Sequence, residues 1–224
     1  MLARASEPLE RARKPAFNSC PPTSFARRDE TIMARTQAAD YDQKRQTIMA
    51  QSARLFALRG FASASISEIA AQCDISKSLI YHYYPSKEDI LFAVMKGHME
   101  ALLALIEEDA AGDTFQDELR HFTHRLLRVY AGAANHQKVL LYDLDFLPKQ
   151  QRADIVANQR EIIEHVDGLL ARASPALKRN RGKLRAKTML YFGMLNWTHT
   201  LFKPSGPLTR DQLADLAVDT ILGA

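Results

Sequence analysis

Ser65-Ile66-Ser67-Glu68-Ile69-Ala70-Ala71-Gln72-Cys73-Asp74-Ile75-Ser76-Lys77-Ser78-Leu79-Ile80-Tyr81-His82-Tyr83-Tyr84 is the stretch whose reading decides the fold. Ser65 with Glu68 three residues on is a capping box, in which the hydroxyl accepts from the N3 amide and the carboxylate reaches back. Ile66, Ile69, Ala70 and Cys73 follow the i, i+3, i+4, i+7 stripe of a helix that buries one face. That helix is short, about two turns. Asp74-Ile75 follow at once, and Ser76 is a good N-cap for the next helix. In that second helix Ile80 and Tyr84 share a face that Ile75 can join, which leaves Lys77, Ser78 and Tyr81 pointing the other way.

Two short helices on a tight turn, the second with a polar outer face, form a helix-turn-helix that can enter the major groove of DNA. Lys77 can donate to guanine O6 or N7, and Ser78 can contact either kind of base. The hydroxyls of Tyr81 and Tyr83 can reach phosphate while their rings pack. Ser86-Lys87-Glu88-Asp89 is a second capping pattern, and it sets Lys87 at the positive end of a helix dipole, where a backbone phosphate can sit. A single capping box would signal only a helix start. The two capped helices, the turn and the outward Lys77/Ser78/Tyr81 face point together to DNA.

The surrounding sequence is helical almost throughout. Ile48, Ser52, Leu55 and Phe56 line one face of a helix expected from about Asp42 to Arg59, which Gly60 stops. A long helix is expected over 87–109, and further ones over 114–134, 137–147, 149–173, 181–202 and 208–222. Gly112, Pro148, Pro175 and Lys203-Pro204-Ser205-Gly206-Pro207 punctuate them. No segment alternates like a strand, so the expected fold is all-α. Residues 1–40 hold four prolines and no sustained periodicity, and read as a disordered extension. Met33 opens Met-Ala-Arg-Thr, a natural translation start. The expected division is an extension over 1–40 and helical segments over 41–86 and 87–224.

Composition narrows the function classes. The chain has 224 residues, 46% of them hydrophobic, enough for a buried core. Its longest apolar run, Met189 to Trp197, is about half the roughly 20 residues a bilayer span needs. Cys20 and Cys73 lie far apart in unlike contexts, which argues against a disulfide framework and for a cytoplasmic setting. The net charge of +4 and pI near 9.1 are compatible with nucleic acid as partner. No nucleophile elbow, P-loop or dinucleotide fingerprint occurs. His121 and His124 lie three apart, Asp143 and Asp145 two apart, and Glu161, Glu164 and His165 cluster on one helix. His165 follows Glu161 by four and Glu164 by one, so neither makes the Glu-x-x-His spacing of a bundle di-iron site. No metal, cofactor or enzymatic activity is expected. A helical adaptor that binds only protein would leave the Lys77/Ser78/Tyr81 face without a purpose.

From Thr47 through Leu91 the chain resembles the DNA-binding domain of the TetR/AcrR family, in Ile66-Ser67-Glu68-Ile69-Ala70, Ile75-Ser76-Lys77-Ser78 and Tyr81-His82-Tyr83-Tyr84-Pro85-Ser86-Lys87-Glu88. The resemblance implies a regulator, usually a repressor, released from a palindromic operator on double-stranded DNA by a small-molecule effector. It implies that residues 41–86 are a three-helix DNA-binding head and residues 87–224 a helical-bundle ligand-binding and dimerisation domain. It carries DNA contacts over to Ser65, Ser67, Lys77, Ser78, Tyr81, Tyr83 and Lys87. It also implies a homodimer through the last two long helices, here 181–202 and 208–222. One departure stands in the turn, where Cys73-Asp74 replaces a small residue and glycine; Asp tolerates the left-handed conformation moderately well.

The segment Phe192 to Thr200 sets polar residues in an apolar helix, and two readings stay open. It packs against its twin in a dimer, or Phe192, Asn196 and Trp197 line an effector pocket. Tyr191 to Pro207 is similar to family members that answer to acyl-coenzyme A thioesters. That likeness implies cations for the phosphates, with Arg125, Arg128 and Arg152 as candidates on otherwise ordinary helix surfaces.

Overall fold

The computed structural model describes residues 24–107, 113–203 and 205–223. The chain divides into two compact units, Met1–Asp42 and Gln43–Ala224, and every element after the first helix belongs to the second.

Helix α1 spans Ser24–Arg59. The expected start near Asp42 is therefore corrected: residues 24–40, read as disordered, are helical, and residues 1–23 lie outside the described ones. The reason is compositional. Between Pro22 and Gly60 there is no proline or glycine, and Ala and Arg are the commonest residues, both good helix formers. Gly60 ends the helix as expected, at φ +78°, with its amide donating to the Phe56 carbonyl at 2.7 Å. Glycine alone enters that left-handed region without a steric cost.

Next come α2 (Ile66–Gln72), α3 (Lys77–Tyr83) and the long α4 (Lys87–Glu107). Then follow α5 (Phe115–Gly132), α6 (Ala134–Tyr142), a 3-10 turn (Leu144–Phe146) and α7 (Lys149–Ala173). The chain closes with α8 (Pro175–Lys178), α9 (Arg181–Asn196), α10 (Thr198–Leu201) and α11 (Arg210–Leu222). Among the described residues there is no strand, so the all-α expectation holds.

The core is continuous. Ile69 of α2 and Ile80 of α3 are fully buried with Ile48, Phe56 and Phe61, and α4 joins them through Ile90, Leu91 and Val94. Burying each such side chain contributes about 1.5–3 kcal/mol, which fixes the two short helices on a common base. Farther along, α4 buries His98, Met99 and Leu102 against α5, α6 and α7. One helix thus packs in both the helix-turn-helix head and the body. On the far side α5 and α11 pack closely and are clamped by charge. Arg120 meets Asp215 at 3.1 Å and Asp219 at 2.7 Å, and His124 meets Asp211 at 3.0 Å and Asp215 at 2.8 Å.

The helix expected over 181–202 is broken at Trp197, the C-cap of α9. Side chains cause the break by competing for backbone carbonyls. The Thr198 hydroxyl donates to Leu195 O at 2.7 Å, and His199 Nδ1 bonds Asn196 O. The segment expected as one helix over 137–147 is likewise α6 followed by the 3-10 turn.

Candidate nucleic-acid interface and body cavity

The helix-turn-helix forms as its residue types dictate. Ser65 Oγ accepts the Glu68 amide at 3.2 Å, and Glu68 Oε2 accepts the Ser65 amide at 2.9 Å. The Ser65 hydroxyl and amide hold the Glu68 carboxyl below its ordinary range, and Glu68 also pairs with Arg59. The turn is closed by Asp74 at φ +52°, the one non-glycine with positive φ among the described residues. Behind it the Ile75 amide donates to Ala70 O at 3.1 Å. Ser76 Oγ accepts the Leu79 amide at 3.1 Å and lies 2.9 Å from Ser78 Oγ.

Ser65, Ser67, Lys77, Ser78 and Tyr81 are exposed. Lys77 and Ser78 stand at the N-terminal end of α3, with Tyr81 one turn on, so the three share an outer surface while Ile80 faces the core. Tyr83 is half-buried, its ring edge-on to His82 and packed against the core. Lys87 opens α4, as expected, and its side chain turns back to the α1–α2 connection. Its ammonium donates to the carbonyls of Phe61 and Ala64, both at 2.9 Å, and sits 4.2 Å from the Phe61 ring centroid. Two of its three donors thus tie the α1–α2 connection to the start of α4, leaving one for any outside acceptor.

The body holds a cavity of about 230 Å³ between α4, α5, α6, α7 and α9. Phe192 and Asn196 line it, with Met99, Tyr130, Gln137, Gln159 and Met189 among the rest. The other four residues expected there lie elsewhere. Trp197 is 57% exposed and lines a separate surface groove with Met194, Leu201, Phe202 and Leu213. Arg128 is two residues from Tyr130, roughly 160° around α5, and meets Asp211 at 3.6 Å. Arg125 is half-buried on α5, roughly 140° from Tyr130. Arg152 lies seven residues, about 10 Å, before Gln159 along α7 and pairs with Asp145 at 2.7 Å.

Sequence reasoning missed the polar side of the cavity. His98 Nε2 lies 2.6 Å from Gln137 Oε1, and Gln137 Nε2 donates to Asn196 Oδ1 at 3.1 Å. Burial holds His98 below the usual histidine range, against the pull of its bond to Gln137. Burial likewise raises the Tyr130 phenol well above its usual range, and contact with Gln137 offsets part of this. A polar residue inside an apolar helical stripe was the only available signal, and many ordinary core residues share it. Of the other clusters noted in the sequence, His124 belongs to the α5–α11 clamp and Asp143 accepts from a backbone amide.

A capped two-helix unit with an exposed basic and hydroxyl face, on a helical body with an open cavity, defines a helix-turn-helix regulator. Comparison with known proteins gives the family. Residues 48–94 match the family model described as "Bacterial regulatory proteins, tetR family", and residues 112–224 match "Tetracyclin repressor-like, C-terminal domain". The chain belongs to the TetR family of DNA-binding transcriptional regulators. A TetR-family regulator from Bordetella parapertussis 12822 shares its fold at a TM-score of 0.76 and 35% identity, over 80% of this chain and 93% of that one. AibR, solved in complex with isovaleryl coenzyme A and operator DNA, gives 0.68 and 27%, over 79% and 97%. The HTH-type transcriptional regulator YerO of Bacillus subtilis (strain 168) is 38% identical over 82 residues, 35% of this chain and 28% of that protein. The chain spans less than half the length of the curated relatives it matches. Among the described residues no helix is long and apolar enough to cross a membrane.

Proposed function

We propose that the protein is a homodimeric repressor that two α3 helices anchor in successive major grooves of a palindromic operator, and that a small molecule in the body cavity releases it. The observation that carries this reading is the exposure of Lys77, Ser78 and Tyr81 on one surface of α3, on a head that shares α4 with the cavity. Lys77 and Ser78 read bases, Tyr81 reads a base or a phosphate, and Ser65, Ser67 and Tyr83 bond the backbone. Lys87 positions the α1–α2 connection and offers its remaining donor to phosphate.

Dimerisation is supported by an apolar surface on the last helices: Leu190 of α9 is 64% exposed, Leu201 of α10 70% and Leu216 of α11 53%. The effector shifts the balance between two spacings of the paired heads, which lowers DNA affinity. The likeness to AibR supports an acyl-coenzyme A thioester as that effector. The cavity is then the seat of the acyl end, because none of its lining residues is cationic. Operator selection from random duplexes followed by salt titration tests the reading. A selected palindrome with steep salt dependence is expected, and no sequence enrichment would overturn it.

A further inference from the structure

The cavity wall carries no carboxylate, ammonium, guanidinium or imidazole. Its polar atoms belong to Tyr130, Gln137, Gln159 and Asn196, and the other lining side chains are apolar. Behind the wall the hydrogen bonds have a direction. Gln137 uses its amide nitrogen on Asn196 Oδ1, so its own oxygen must accept, and the His98 proton therefore sits on Nε2. His98 Nδ1 is left as a bare acceptor, shut from solvent and without a partner. Burial disfavours a second proton there, so the row stays neutral. From the core outward the row runs His98, Gln137, Asn196; with Oδ1 taken by Gln137, Asn196, which lines the cavity, is left with its amide N–H groups to donate. Tyr130, buried and held in its protonated form, lines the same wall and hydrogen-bonds Gln137.

A wall that ends in neutral donors and lacks a cation suits an acceptor without charge. A carboxylate placed there would lose its water and meet no opposite charge, which is costly. At about 230 Å³ the space lies below the ~300–1,000 Å³ of sites that enclose drug-sized ligands. Met189, which lines the cavity yet is 58% exposed, marks its mouth on α9. We infer that the cavity takes a small, largely apolar group bearing one uncharged carbonyl-type oxygen, received by Asn196, and rejects the corresponding carboxylate. This rests on reading the cavity as the effector site. The carbonyl has two sources to distinguish, a free ester, amide or ketone, or the acyl end of a thioester whose carrier stays outside the mouth.

The single tryptophan, Trp197, adjoins Asn196 and makes intrinsic fluorescence a direct readout. The full chain is titrated at pH 7.5 with isovaleric, hexanoic and phenylacetic acids, each as free acid, methyl ester, primary amide and coenzyme A thioester. At least one neutral derivative is expected to bind ten-fold or more tightly than its own acid. Asn196→Leu is expected to weaken that binding at least ten-fold, and the nearly isosteric Asn196→Asp to do the same if the leucine variant fails to fold. Binding by simple esters or amides assigns the carbonyl to a free molecule, and binding by thioesters alone assigns it to the carrier; either supports the ligand class. Free acids binding as tightly as their esters, or no neutral probe binding at all, overturns it. Salt-dependent DNA binding of the same preparation is measured separately, so a failed ligand class is distinguishable from a failed regulator reading.

Discussion

Asp143 and Phe61 lie 82 residues apart in sequence, and the buried Asp143 carboxylate accepts the Phe61 backbone amide at 3.3 Å. Asp143 is the C-cap of α6, the helix that lines the cavity through Gln137, Leu140 and Leu141. Phe61 follows the Gly60 stop of α1, immediately before the recognition helices, and its ring also meets Phe146 at 5.1 Å. One short helix therefore touches the cavity at its middle and the head at its end. Removing the acceptor leaves a buried N–H without a partner, at about 1–3 kcal/mol. Asp143→Ala should lower the urea midpoint accordingly, while Asp143→Asn, which keeps an oxygen, should lose less. If coupling runs this way, Asp143→Ala should also still bind ligand but respond to it less in DNA affinity. Equal ligand responses in variant and parent would remove α6 from the route.

Lys77 and Lys87 each open a helix, yet the structure gives them different work. Lys77 is exposed, whereas Lys87 bonds two carbonyls and covers the Phe61 ring. Lys77→Ala should leave the melting temperature within the small range of surface changes, about ±0.5 kcal/mol, and relax base preference at about 1–3 kcal/mol. Lys87→Ala should instead lower stability by about 1–3 kcal/mol and weaken binding to all sequences alike. A Lys87→Ala protein as stable as the parent would show that its inward bonds are not held in solution.

Asp74 sits in the left-handed region at φ +52° because the turn between α2 and α3 leaves no alternative. A β-branched residue costs about 1–2 kcal/mol there, so Asp74→Val should destabilise by that amount in chemical unfolding. Asp74→Gly removes the steric cost but loosens the unfolded chain, and should fall within about 1 kcal/mol of the parent. A Val variant as stable as the parent would mean that the turn had changed its path.

The same residue shows what was legible in the sequence. Local chemistry was readable: the Ser65–Glu68 box, the Ser76 cap, the Gly60 stop and the strained Asp74 each follow from one residue's preferences and a few neighbours. The helical start at Ser24 is masked in the sequence by the four prolines that end at Pro22, although the segment after them has none. The cavity was half legible. Phe192 and Asn196 stood out as polar and aromatic features of one helix, but Trp197 next to Asn196 turns outward once α9 ends there. Arg125 and Arg128 were placed by charge alone, without the rotation around α5 that separates them from Tyr130. Gln137 and His98 meet across 39 residues, and nothing local in either helix announces that pairing.

Acid should loosen the body before it reaches the carboxylates. Burial holds His98, His136 and His165 below their usual pKa of 6.5, so below about pH 6.5 the unfolded chain takes up protons that the folded chain refuses. Stability is then fully present above that value and falls as pH drops. For His98, which is 3% exposed, the slope approaches about 1.4 kcal/mol per pH unit while the folded ring stays neutral. The α5–α11 clamp acts lower: bonds from His124, with Arg128 and Arg120, hold Asp211 and Asp215 below 3.8, so their contribution goes only as pH falls beneath that value. Asp143 opposes both, since burial raises its carboxyl and protonation there relieves the fold. The melting temperature should therefore be flat from pH 8 to 7 and decline from 6.5 to 5.5, and His98→Gln should flatten the decline. A melting temperature that holds or rises toward pH 5.5 would show that water reaches the buried imidazoles.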